Sequence, residues 1–484
     1  MQTIANTLND FPDALSPMVV KELRQGLRTR MFVVVMLVMH VLMVIITLMG
    51  GGAQNADGVT ATMDGIVTLI LCFILPMPAL QALANEIKKN TLETLVLTEL
   101  SAGRIVLGKW GSIALQSLVV ALSLMPYIVA RYVFGGMDMI TELVTLGGKW
   151  LIGVIVAALM LCFSTLKQNW LRGLISGLFG AFIVLMGIGF LLPRMFGAGG
   201  ASRTYFLTTS PPFPGSGAIL GAIFALLAAT WVIFSLLAIA ATRIAPAATN
   251  LAFLKRSVNL LVFTVTSLVI LVSKSPTTGP GGVLGGILML ASIDALTERA
   301  NEVPSVYAAF YRRGWIGRLA SWFLVPGWHS GILFSLALAA AACAIAYGRS
   351  GGEAAATVWL GAAGIWMPAA LVQIMPSRRA SDLLGPWIIY YVLCNIMTSM
   401  LAMSMGFAAS RSITPGVSCL MPSLVINGAK IAQASDSARF WHFGLTIASA
   451  WPLLLLIGSL LAWRRTRYAR GEAAIMAATP LRDT

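Results

Sequence analysis

Long apolar runs alternate along this chain with short polar intervals, and most runs have the length of a bilayer crossing. Reading windows of roughly 20 apolar residues predicts spans near 31–51, 62–83, 112–134, 148–166, 173–193 and 217–242. Six more are predicted near 257–273, 281–296, 328–347, 356–376, 385–409 and 443–463. The expected fold is all-α: a polytopic transmembrane helical bundle of about 12 spans with both termini cytoplasmic. Under that arrangement 24 of the 33 Lys and Arg residues fall on the inner side and 9 on the outer, the asymmetry of the positive-inside rule. The eighth span is the shortest and rich in glycine. Omitting it would throw Arg312, Arg313, Arg318 and the closing cluster Arg464, Arg465, Arg467 and Arg470 to the outer side.

Composition agrees with this pattern. At 58% hydrophobic and 11% charged over 484 residues, there is too little polar surface for a water-soluble globule. The net charge of +15 follows from basic loops on one face of the membrane, and no nucleic-acid-binding motif accompanies it. Cys72, Cys162, Cys343 and Cys394 lie in apolar runs and Cys419 in a loop, with neither disulfide nor metal spacing. The basic amphipathic stretch before the first span, with no small-residue cleavage site after it, argues against a cleavable signal. Trp110, Trp150, Trp170, Trp328, Trp441 and Trp463 fall at predicted span ends, where headgroup anchoring accounts for them. Gly173, Gly177 and Gly180 have a spacing that permits close helix approach.

Two polar elements interrupt the apolar pattern. In PMVVKELRQGLRTRMF, 17–32, Val19, Val20, Leu23 and Leu27 share one helical face and Lys21, Arg24, Gln25 and Arg28 the other, as in an interfacial helix on anionic headgroups. Between the second and third spans lies EIKKNTLETLVLTELSAGRIVLGK, 86–109, where Leu92, Leu95, Val96 and Leu100 recur at helical spacing apart from most of Glu86, Lys88, Lys89, Glu93 and Glu99. Such a helix lies on the membrane surface or presents a face to a soluble partner.

The order of these parts, basic surface helix, span, short loop, span, charged helix and four further spans, resembles the ABC-2 type permeases, the membrane subunits of a class of ABC exporters. Residues 17–32 are similar to that family's amphipathic connecting helix. An acidic residue, a Thr-Leu-x-x-Leu core, a Leu-Ser turn and a basic Gly-Lys lead-in to span three are similar to its coupling helix. The resemblance implies that the helix at 86–100 docks on a separate ATPase subunit. Leu92, Leu95 and Leu100 would seat it, Glu86, Lys88 and Glu93 would make polar contacts, and Lys21, Glu22, Arg24 and Arg28 would hold the surface helix at the lipid headgroups. It further implies a homodimer or pseudo-dimer of membrane subunits in a bacterial cytoplasmic (inner) membrane. The division expected is a tail and surface helix at 1–30, a permease core at 31–256, and an additional six-span region at 257–484. That last region carries an amphipathic loop at 297–327 and is not a plain duplication of the first.

Enzymatic readings find no support. Gly103 to Lys109 has the spacing of a phosphate loop, but Trp110 stands where Ser or Thr would hold magnesium and no strand precedes it. His40, His329 and His442 are too scattered for a metal or catalytic set. His40 is expected to make an interhelical hydrogen bond, and Asp64, Arg131 and Asp294 to snorkel or cap at span ends. Few ionisable groups, if any, are expected at mid-membrane. The chain therefore reads as a transport subunit with no cofactor and no catalytic site of its own, driven by an ATPase in another chain. The alternative is an ATPase-independent secondary transporter or membrane scaffold.

Overall fold

The computed structural model describes residues 17–50, 56–88, 101–134, 139–195, 217–246, 249–272, 280–299, 303–374, 383–408 and 434–478. Every regular element among them is helical. Nine described helical segments are long and apolar enough to cross a membrane, and shorter apolar helices stand at Asn169–Leu185, Gly282–Thr297 and Leu384–Met400, near the predicted spans five, eight and eleven. Their outward faces carry exposed aliphatic side chains such as Val34, Leu37 and Leu48, which suit hydrocarbon rather than water. The protein is a multi-pass helical membrane protein.

The chain forms two compact units, divided between Ala245 and Pro246. The break expected at 256 falls earlier because the next helix starts at Leu251 and buries Lys255 and Arg256 inside the second unit.

In the first unit α1 (Pro17–Leu27) buries Leu23 and exposes Lys21, Arg24 and Arg28. Thr29 then accepts a hydrogen bond from the Phe32 amide at 3.3 Å, a side-chain cap that starts α2 (Arg30–Gly50). The second span is broken. It runs as α3 (Ala56–Leu69), a π-helical turn at Ile70–Ile74, α4 (Ala79–Ala82) and α5 (Ala84–Lys88). Pro76 and Pro78 lack the amide a continuous helix would need there. Two residues of α8 (Met139–Ser164) stabilise the break. Gly153 lets α8 press on the π-turn so closely that a Cβ would meet the Leu71 carbonyl oxygen at 2.3 Å. Ser164 Oγ accepts from the amides of Leu83 and Ala84 at 2.8 and 2.9 Å, supplying the acceptor that the start of α5 lacks.

Span three begins as α6 (Ala102–Ser123), capped by Ser101, whose side chain accepts from the Arg104 amide. It yields at Pro126 to α7 (Met125–Phe134). Helices α6 and α8 exchange indole bonds: Trp110 donates to the Val154 carbonyl at 3.1 Å and Trp150 to that of Ala114 at 3.3 Å. These two tryptophans bind helix to helix, beyond the anchoring expected of them. Helices α9 (Asn169–Met195) and α10 (Gly217–Ile244) complete the unit, α10 packing on α6 and α8. Gly173, Gly177 and Gly180 of α9 have no neighbour within 4 Å of an added Cβ, so among the described residues they form no close seam.

The second unit starts with α11 (Leu251–Val272) and α12 (Pro280–Thr297). Two short helices follow, α13 (Pro304–Tyr311) and α14 (Gly314–Leu324), turned against each other at Gly314, whose φ of 73° suits glycine. The remaining helices are α15 (Trp328–Ser350), α16 (Gly352–Ile374), α17 (Leu384–Ala408), α18 (Ala434–Arg465) and α19 (Arg467–Ala478). Helices α12, α15 and α16 form the core around a polar ladder: the Trp366 indole donates to Ser335 Oγ at 2.8 Å, and Ser335 shares a 2.7 Å bond with Ser292. Such bonds hold helices together where hydrocarbon gives little drive for association. Helix α19 packs on α13.

Candidate functional site

The functional geometry of the first unit centres on Lys109, two turns into α6 and 5% exposed. Its ammonium lies 3.2 Å from Glu22 Oε1 on α1 and 2.8 Å from Glu86 Oε1 on α5. Removing a charge from water requires a counter-charge, and here two carboxylates from different helices converge on one amine. The resulting knot ties the surface helix, the end of span two and the start of span three. Alongside it α6 packs on α1, with Gly108 facing Met18 at 3.2 Å from an added Cβ.

Of the residues singled out by sequence, Lys21, Arg24 and Arg28 lie exposed on α1, while Glu22 of the same helix turns inward to Lys109. Glu86 belongs to the knot, and Lys88 is exposed at the end of α5. Leu92, Glu93, Leu95 and Leu100 lie outside the described residues. Lys109 was not foreseen as the hub. Its signal was present: a lysine in the second turn of an apolar helix needs a partner nearby.

The second unit carries a knot in the corresponding place. Arg256, 1% exposed, donates to Glu298 at 2.6 Å and to the carbonyls of Phe323, Val325 and Gly327 at 2.5, 3.0 and 3.1 Å. Ser330 Oγ adds a fifth acceptor at 3.0 Å. Lys255 contacts Asp294 at 2.7 Å and Glu298 at 2.5 Å. Asp294 is thus an ion-pair partner rather than a capping or snorkelling residue. Burial pushes the Glu298 carboxyl up, but Lys255, Arg256 and the Gly327 amide outweigh burial and hold it below the usual carboxylate range. This cluster joins the start of α11, the end of α12 and the turn between α14 and α15. In both units, therefore, buried charges close the base of a segment connecting two membrane helices: 89–100 in the first, 299–326 in the second.

A further pair joins α3 and α8. Lys149 of α8 binds Asp64 of α3, ten residues into α8, or about 15 Å along its axis at 1.5 Å per residue. Beside it is a cavity of about 30 Å³, lined in part by Tyr127 and Glu142, with room for about one water. The expectation that Asp64 snorkels or caps at a span end is corrected here, because it pairs with Lys149 across a helix interface. His40 also differs from expectation. Its Nδ1 lies 2.8 Å from the Met36 carbonyl of its own helix, and its ring meets Tyr127 edge-on at 5.7 Å. Among the described residues no group of three or more His, Cys, Asp or Glu side chains is placed to hold a metal ion. Comparison with family models, with curated proteins and with solved structures finds no match to this chain.

Proposed function

We propose that this protein is the permease subunit of an ABC-2 type exporter, carrying a substrate across a bacterial cytoplasmic membrane with energy from a separate ATPase subunit. The observation that carries the reading is the knot of Glu22, Lys109 and Glu86. It ties Glu86, at the end of span two, to Lys109 in span three and to the surface helix, so a push delivered between those spans from the cytoplasm would reach all three together. The broken second span supplies a place to bend, and rearrangement of packed helices between two states is the switch. The family resemblance adds a homodimer or pseudo-dimer of membrane units. Replacing Leu95 with Asp should abolish co-purification of an ATPase subunit while membrane insertion is unchanged; undiminished co-purification overturns the reading.

One observation favours the second reading, an ATPase-independent transporter. The Asp64–Lys149 pair with its small cavity is a buried ionisable group of the kind ion-coupled transporters use. That reading expects no nucleotide-binding partner after gentle extraction, and transport by purified chain that collapses when the proton or sodium gradient is removed.

A further inference from the structure

A cavity of about 280 Å³ opens beside α1, between α2, the broken second span and α6. Its lining is sorted by polarity. Phe32, Val35, Ile74, Leu75 and Ile113 form an apolar wall, whereas Gln25, Thr29, Ser112, Gln116 and the Glu22–Lys109 ion pair supply the polar side. Gln25 and Thr29 also line an open recess whose other members are Lys21, Arg24 and Arg28. Those three cations recur at spacings of three and four residues, Lys21 and Arg24 on the exposed face of α1 and Arg28 in the turn that follows it. Gly26 lets α1 approach the Gln116 amide, since an added Cβ would lie 2.0 Å from Gln116 Nε2. A cationic recess and an apolar cavity are thus joined across two shared polar residues.

We propose that this composite is a binding site for one anionic phospholipid, its phosphate on Lys21, Arg24 and Arg28 and one acyl chain in the cavity. Charge complementarity selects the headgroup, because Lys21, Arg24 and Arg28 are all exposed at the recess. Guanidinium groups favour phosphate oxygens. The apolar wall selects a lipid over a free phosphate. The volume, just under the ~300 Å³ at which pockets for drug-sized ligands begin, admits a single chain. The second chain lies along the exposed face of α2 at Val34, Leu37 and Val38, in the surrounding bilayer. The bound lipid becomes a wedge between the surface helix and the broken span, and the site stands whichever energy source drives the chain.

The test reconstitutes the full chain in phosphatidylcholine vesicles containing a trace of phosphatidylglycerol with a diazirine midway along one acyl chain. Photolysis and peptide mapping should label Phe32, Val35, Ile74 and Ile113, with a preference of roughly tenfold or more over a phosphatidylcholine probe, as three surface cations warrant. Lys21→Gln/Arg24→Gln/Arg28→Gln, all exposed positions, should erase that preference while labelling of the lipid-facing Leu178 on α9 is unchanged. Val35→Trp should remove cavity labelling by filling the space. Equal labelling by the two probes, or labels confined to Val34 and Leu37, would overturn the site. Competition by millimolar inorganic phosphate that abolishes the preference would show a free-anion site and overturn the lipid assignment.

Discussion

Lys149 shows how a single residue can invert the cost of a charge in a membrane. Paired with Asp64 it is held between helices; stripped of that partner it would be a buried cation in a nearly dry interface. Asp64→Leu should therefore destabilise the first unit by about 3–5 kcal/mol, with Asp64→Leu/Lys149→Met recovering most of the loss, because an unpaired buried charge costs more than a hydrophobic pair. Thermal unfolding in detergent measures both. Ser164 has a similar leverage through a neutral group. With Ser164→Ala the amides of Leu83 and Ala84 lose their acceptor, a cost of about 1–3 kcal/mol for each one stranded. Hydrogen exchange at those two amides should rise ahead of exchange elsewhere in the unit.

Among the elements, the long uniform helices were the most legible. Runs of some twenty apolar residues declare themselves whatever their neighbours do, and α2, α15 and α16 lie close to the predicted spans, while α8 starts nine residues ahead of the span predicted at 148–166. The face division of α1 was legible for the same reason, since helical periodicity alone separates Leu23 from Lys21, Arg24 and Arg28. Hidden from sequence was everything that depends on a second helix. The π-turn is stabilised by Gly153, some eighty positions away in the chain. Trp110 and Trp150 have the composition of anchors, yet each finds a carbonyl on the facing helix. Likewise the 86–109 pattern looks continuous, but Ser101 caps a new helix and assigns Lys109 to the span. For α13 and α14 the amphipathic reading holds on one side: Trp315, Ile316 and Leu319 are exposed, while Trp322 stacks on Trp463 at 4.6 Å.

At the scale of the whole molecule, the two units share an order: two membrane helices, a connecting segment whose base is closed by buried charge, then further apolar helices. In the second unit that closure lies between α12 and α15. Arg256→Met should be among the most damaging single changes to the second unit, at about 3–5 kcal/mol, since it leaves Glu298 and three carbonyls without their shared donor. The same cluster makes that unit acid-sensitive. The Glu298 carboxyl is held below its unfolded value of about 4.3, so its contribution is complete above that pH and disappears as pH falls through the lower folded value. Acid titration of the second unit's unfolding midpoint, compared with Glu298→Gln, measures it.

Because Lys109 joins Glu86 and Glu22, the helices before and after the 89–100 segment are tied to each other independently of it. A graft of twelve Gly and Ser residues in its place should leave detergent melting within about 1 kcal/mol of the parent, as a flexible loop of unchanged length keeps its closure entropy nearly constant. Another sequence could then be seated between those helices without rebuilding the bundle that carries it.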